Sequence, residues 1–396
     1  MTTVRTAGTQ WQRHLSVAVG CALLGVAVYV LRAVLPVQVA MVGLGVGVIG
    51  AGFMLAWAAD AGEAVFSAGP VLAVIALLAV LPEFVIELRL AYTQHAELVT
   101  ANLTGATRLL LTGATALPLL VAYLAHRGHR TDPAVTLDVN RRRELAVLLL
   151  TSLFAVQIVV RGDLTVIDGV ILIGLYVAYA RRVQGTQHEK PAVVGVAAGL
   201  LSLPRRQQRA AITMLIVVAG VVILTIANPF ADALLATGTS LGIDPYLLIQ
   251  SVVPAATEAP EFVIVAVLVV NHRPAQGLAL FLASSVSQWT LALGAMPIAY
   301  LWGGGGLALP LAGREQLELG FTIALTLFVV AALVTLRPEP PDAYLIAAVF
   351  LVQLVFPAPF VRFAAGFVLL VFAIDLMFAR RRDLRSLFRR QKGQSP

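Results

Sequence analysis

The chain has 396 residues, is 59% hydrophobic and 12% charged, and carries a formal net charge of +7. Its mean hydropathy is +0.89, whereas a soluble domain has about a quarter of its residues charged, so too few polar side chains exist to clothe a water-facing surface and the chain reads as an integral membrane protein. Ten-residue strands of alternating polarity are absent, which argues against a β-barrel, and a single cysteine, Cys21, excludes an internal disulfide or a cysteine-rich metal site.

Apolar runs of about 20 residues, long enough to cross a bilayer, predict twelve spans. The first half gives 15–35, 37–58, 68–91, 98–124, 144–160 and 163–180; the second gives 210–230, 245–270, 276–301, 317–336, 342–357 and 359–379. The first run lacks a convincing cleavage site before the next span, so it is read as part of the mature chain. After 230, the residues Pro229 to Asp232 either extend the seventh helix or form an interfacial turn. Residues 181–209 read as a linker whose apolar middle, Val193 to Leu203, is too short to span.

Basic residues cluster outside the spans. Arg5 and Arg13 precede the first, and His126, Arg127, Arg130 and Arg141-Arg142-Arg143 follow the fourth. Arg181, Arg182, Lys190, Arg205, Arg206 and Arg209 separate the sixth and seventh, and Arg380 to Lys392 follow the last. All four clusters lie on one side if both termini are cytoplasmic, as positive charge dictates. The net charge therefore reads as topology in a plasma or inner membrane, with the lipid bilayer as partner, and not as a nucleic-acid signal.

The pentapeptide Pro-Glu-Phe-Val-Ile occurs at 82–86 and again at 260–264. Each copy sets a carboxylate inside an apolar run, where ionisable groups are expensive and mark function. Matched carboxylates in two halves point to a duplicated transporter with its site between the repeats. The likeness extends downstream: Pro118 and Tyr123 follow Glu83 at nearly the offsets at which Pro297 and Tyr300 follow Glu261, and the run from Arg141 resembles the run from Gly313. Five spans per copy is an odd number, so the second copy is inverted. The expected fold is an all-α polytopic membrane protein of about twelve transmembrane helices: two inverted five-helix repeats plus an extra helix at each end. The boundaries are 1–36 for the first extra helix, 37–181 for the first repeat, 182–209 for the linker, 210–357 for the second repeat, and 358–396 for the last helix and basic tail.

Glu83 follows Pro82 in the middle of its expected span, where proline removes a hydrogen bond and frees a carbonyl one turn earlier. Thr257-Glu258-Ala259-Pro260-Glu261 adds a hydroxyl and a second acid, with 258 and 261 on one helical face. The partner runs Asn102 to Thr107 and Ala283 to Gln288 offer small residues for close helix approach, and hydroxyl and amide oxygens. Calcium takes six to eight such oxygens. The plain alternative for Glu83 and Glu261 is a neutral acid tying helices together. Glu87 reads equally as a solvated helix end or a site residue. Ser284 reads evenly as ligand or packing residue; Ser285, Ser287 and Thr107 read as packing. Asp60 and Glu63 read as helix-end residues, and His95 and His272 as solvated loop residues. Arg108, at mid-span, must face an acid or water: it forms either a gating pair with Glu83 or a static pair with another acid such as Glu87.

At these residues the chain resembles the calcium:cation antiporter superfamily, which includes sodium/calcium and calcium/proton exchangers. Its two inverted repeats each carry a proline-glutamate motif followed by a glycine-serine-asparagine-type motif. Here Glu83 to Gly105 and Glu261 to Ala283 are both 22 positions. Gly105-Ala106-Thr107 and Ala283-Ser284-Ser285 thus stand where the family has the second motif. The resemblance implies that Glu83 and Glu261 bind the cation and accept protons, with Thr257, Ser284 and Gln288 as supporting metal ligands; Asn102 matches a family asparagine, and Glu258, on one helical face with Glu261, joins them as an expected metal ligand from its own position. Glu258 replaces a serine of the family, Ala79 and Val80 replace its threonine-serine, Ala106 replaces its serine ligand, and Leu110 stands at a further asparagine ligand. The first repeat therefore supplies little beyond Glu83.

What this implies is a secondary antiporter moving an inorganic cation, Ca2+ before others, against Na+ or H+, with no cofactor and no enzymatic activity. Rival readings are a monovalent-cation/proton antiporter on the same fold and a degenerate, non-transporting scaffold. A membrane-embedded enzyme finds no support, because the chain has no zinc pattern, nucleophile elbow or phosphate-binding loop.

Overall fold

The computed structural model describes residues 3–66, 80–125, 135–184, 193–356 and 358–388. Within them the chain is overwhelmingly helical. In chain order the helices are α1 (Thr3–Leu31), α2 (Val37–Val65), α3 (Leu81–Tyr92), α4 (Ala96–Arg108), α5 (Thr115–Ala125), α6 (Arg142–Arg161), α7 (Val166–Gln184) and α8 (Gly195–Leu201). They continue with α9 (Arg205–Ser240), α10 (Pro245–Thr257), α11 (Ala259–Val270), α12 (Pro274–Ser287), α13 (Leu293–Trp302), α14 (Gly313–Leu333), α15 (Pro340–Val355), α16 (Pro359–Ala379) and α17 (Arg381–Ser386). A π-helical turn, Leu109–Ala114, links α4 to α5, and another, Gln288–Ala292, links α12 to α13.

Among the described residues, eight helical spans are long and apolar enough to cross a membrane, and the bent pair α10–α11 makes a ninth. Two of the twelve expected spans fall short: α7 carries Asp168, Arg181 and Arg182, and α15 has only 16 residues. Of the expected span 68–91, residues 68–79 lie outside the described residues. His126, Arg127, Arg130, Lys190, Arg389, Arg390 and Lys392 also lie outside them.

The chain packs as two compact units. The first comprises residues 1–105 and 180–268, the second 106–179 and 269–396. Each draws on both sequence halves.

The first unit is built on α2 and α9, which pack along each other and on α1. Glycines set the closeness of α1 and α2: a Cβ on Gly47 would lie 2.5 Å from the Gly25 Cα. α9 runs unbroken for 36 residues through Pro229. The segment after 230 thus extends the seventh helix, and at 1.5 Å per residue α9 is about 54 Å long. The short α8 occupies the apolar middle of the linker. Its Val196, Ala197 and Leu200 pack with Ala58, Ala61 and Ile212, covered by Trp11 and Trp57. The linker's apolar patch is thus a core element and not a span.

In the second unit α14 is almost wholly buried and packs on α6 and α16. Trp289, in the second π-turn, donates its indole N–H to the Thr326 hydroxyl of α14 at 3.0 Å. The π-turns end just before the interior prolines Pro118 and Pro297. A proline deprives a carbonyl one turn back of its donor and crowds it, and a widened turn at that place relieves both. Two short strands, β1 (Asp163–Thr165) and β2 (Ala308–Pro310), pair antiparallel, with Leu164 opposite Leu309. No strand was expected from the sequence.

Candidate functional site

α3 places Glu83 in its first turn and Glu87 one turn on, both buried. Pro82, expected inside a continuous span, stands instead in the first turn of a helix beginning at Leu81. There the missing N–H has no helical acceptor to lose.

The second copy of the pentapeptide breaks its span. α10 and α11 meet at 51°, at Glu258. Pro260 cannot donate to the carbonyl of Ala256 and its ring crowds that carbonyl, which bends the chain. Glu258 closes α10 by donating its backbone N–H to the Pro254 carbonyl at 2.9 Å. Its side chain is 1% exposed and lies within electrostatic range of Glu83, Glu261 and Glu87. Glu261 is half-buried in the first turn of α11. Thr257 is buried and donates its hydroxyl to the Val253 carbonyl at 3.1 Å. α3 and the bent pair α10–α11 therefore bring four carboxylates into one neighbourhood of the first unit.

α4 completes this neighbourhood. Asn102, fully buried, donates its amide N–H to Glu87 Oε1 at 3.1 Å. Gln250 of α10 donates to the Thr104 hydroxyl at 3.3 Å. Gly105 permits this contact: a Cβ there would stand 1.9 Å from the Gln250 carbonyl oxygen. Gly105→Ala is therefore expected to force α4 and α10 apart, at about 1–3 kcal/mol for overpacking. The change reads as a lower melting temperature in detergent, and an unaltered one would contradict the close approach.

On α2, Gly52 admits Pro260, whose Cγ would meet a Cβ at 2.9 Å. Asp60, read from the sequence as a helix-end residue, lies inside α2 within electrostatic range of Glu63 and Glu261. Among the described residues no group of three or more His, Cys, Asp or Glu side chains is disposed to hold a metal ion. A cation held by these acids would draw on neutral oxygens as well.

Ser284, Gln288 and Arg108 belong to the second unit and are buried there. Arg108 donates to Glu318 Oε2 at 2.6 Å, and Arg362 donates to the same oxygen at 2.7 Å. The Phe321 ring lies beside both guanidinium groups, at 5.4 Å and 6.0 Å from its centroid. Arg108 thus meets an acid inside the second unit, Glu318, which fits the static-pair alternative with an acid that the sequence did not single out. All three members of the triad are at most 5% exposed.

Sequence reasoning passed over Gln250, Glu318 and Arg362 and left Glu87 open. Three of the four carried a signal: Glu87, Glu318 and Arg362 are ionisable groups in apolar runs, which is the criterion that flagged Arg108. Gln250 carried none, since its role depends on a glycine 145 positions away.

A family model described as sodium/calcium exchanger protein matches residues 35–183 and 211–379. A crystal structure of the H+/Ca2+ exchanger CAX is similar at a TM-score of 0.89 and 29% identity, covering 96% of this chain and 97% of that one. Native YfkE matches at a TM-score of 0.61 and 14% identity, over 92% of this chain and 99% of that one. The sodium-calcium exchanger NCX_Mj, soaked with 2.5 mM Na+ and 10 mM Sr2+, matches at 0.53 and 16% identity, over 86% and 99%. At those identities the last two speak for the fold alone. No curated protein matches the chain.

Proposed function

We propose, for a chain that belongs to the sodium/calcium exchanger protein family, that it exchanges Ca2+ for H+ across a cell membrane, using Glu83, Glu258 and Glu261 as the cation-binding and proton-accepting groups. The observation that carries this reading is the gathering of buried carboxylates around Glu258 in one compact unit. A carboxylate held away from water is costly in its charged form, and a bound cation or a proton offsets that cost. Competition of the two for one set of oxygens couples opposite fluxes in the simplest way. Thr257 and Asn102 supply neutral oxygens beside the acids, and Ser284 and Gln288 are assigned supporting roles in the second repeat.

The likeness to a protein named as an H+/Ca2+ exchanger favours protons over sodium as the coupling ion. So does the thin supply of neutral ligands, since Ala106 and Leu110 stand where the family's first repeat has ligands. The reading includes two inverted five-helix repeats with extra helices at each end, both termini cytoplasmic, and alternating access at the membrane midplane. The cargo is an inorganic cation, and no resident cofactor takes part.

The test is Ca2+ flux into proteoliposomes under an imposed pH gradient and, separately, under a Na+ gradient, with Glu261→Gln as control. Uptake driven by the pH gradient and lost in the variant is the expected result. Uptake needing Na+ instead would reassign the coupling ion. No Ca2+ flux under either gradient, with Na+ or K+ carried against protons, would transfer the site to monovalent cations.

A further inference from the structure

The two copies of Pro-Glu-Phe-Val-Ile are identical for five residues and then part: the first continues with Glu87, the second with Val265. Both positions are fully buried. A valine therefore suffices wherever packing alone is asked of this place, and a buried carboxylate there is costly.

Glu87 is half satisfied. Its Oε1 accepts from the Asn102 amide, but Oε2 has no hydrogen-bond partner, and neither has Asn102 Oδ1. The two orphans sit on the very groups that share the 3.1 Å bond, so they are neighbours. Glu258, within electrostatic range of Glu87, has a third partnerless oxygen, Oε1. All three atoms are acceptors, and a buried acceptor without a donor costs about 1–3 kcal/mol, more when charged. Another neutral acceptor cannot relieve them, whereas a positive ion beside Glu87 and Asn102 relieves those two and is drawn further by the nearby Glu258. The charges nearest in sequence on α3 are Glu83 and Arg89, and Arg89 is engaged by Asp232 of α9 at 2.9 Å.

The geometry points to a cation position at Glu87 Oε2 and Asn102 Oδ1, within electrostatic range of Glu258, that adjoins the site at the repeated glutamates Glu83 and Glu261 and shares Asn102 with it. It has no counterpart in the second repeat, where Val265 replaces the acid. The position rests on the exchanger reading for the identity of the ion. Its ligand class is a small inorganic cation with preference for hard oxygens, Ca2+ before Na+.

The experiment uses the full-length protein in proteoliposomes, measuring the KM for external Ca2+ in the wild type, Glu87→Gln, Asn102→Ala and the double variant. If the wild type carries Na+ or K+ and no Ca2+, the same series is run with that ion. Failure of the Ca2+ reading is then seen in the wild type, and failure of this position in the variants. Each single change is expected to raise KM about tenfold, the value of one lost charge-assisted contact, and the double change little further, because both act on one site. The shift of melting temperature that Ca2+ induces in detergent should shrink in parallel, a readout that needs no transport. Unchanged KM and unchanged Ca2+-induced shift in both single variants would overturn the position. So would a displaced pH dependence with an unaltered cation KM, which would assign the pair to a proton.

Discussion

Glu83→Gln combined with Glu261→Gln is expected to abolish cation-driven exchange while leaving the protein folded in the membrane. Glutamine keeps the shape of glutamate, so the packing of α3 and α11 survives, but both formal charges go. At about 4 Å and an effective dielectric of about 20, one carboxylate attracts a unit charge by about 4 kcal/mol. That is roughly a thousandfold in affinity for each acid removed, and a divalent ion loses more. Flux in proteoliposomes checks this, with the melting temperature of the purified variant as the control for folding. Undiminished flux from a folded double variant would remove the repeated glutamates from the site. A cellular phenotype that survives complete loss of flux would favour a non-transporting scaffold.

Glu318→Leu is expected to have the largest effect on stability. Arg108 and Arg362 share one oxygen of Glu318 inside the second unit, and leucine would leave two buried guanidinium groups without that counter-charge. Breaking a buried pair costs about 3–5 kcal/mol, and here two contacts go at once. The variant should yield little monodisperse protein in detergent, with a sharply lowered melting temperature. Replacing all three residues by apolar ones of similar volume should recover much of the loss, because whole buried ion clusters exchange for apolar packing at little net cost. A Glu318→Leu protein as stable as the wild type would show that the arginines are held by other partners.

The membrane class and the doubled acid motif were legible because both rest on local chemistry. Long apolar runs have one physical use, and a repeated Pro-Glu in two of them is hard to mistake. Glu83, Glu258, Glu261, Thr257 and Asn102 were all named from the sequence and all fall in one unit. What escaped depends on long-range choice. Arg108 had to find an acid, but periodicity cannot say that the acid is Glu318, 210 positions on. The π-turns before Pro118 and Pro297 follow from how a helix yields to a proline, which the residue pattern alone leaves open. The same holds for Pro82, expected to disturb a span and found in a first turn. The course of the chain through Pro229 was likewise undecided, because a long helix tolerates a proline when its neighbours, here α2, hold it in line.

The last apolar helix looks expendable in the sequence, since it lies outside both repeats. Its arginines say otherwise. Near its start α16 supplies Arg362 to Glu318. At its end Arg380 donates to the carbonyls of Ala331 and Ala332, at 3.0 Å and 2.6 Å, and to Asp342. It is fastened at both ends, over the length of α14. A chain shortened to the end of the second repeat at 357 would strip Glu318 of half its neutralising charge and leave the C-terminus of α14 uncapped. A shortened form that keeps these contacts of α14 must therefore run at least to Arg380.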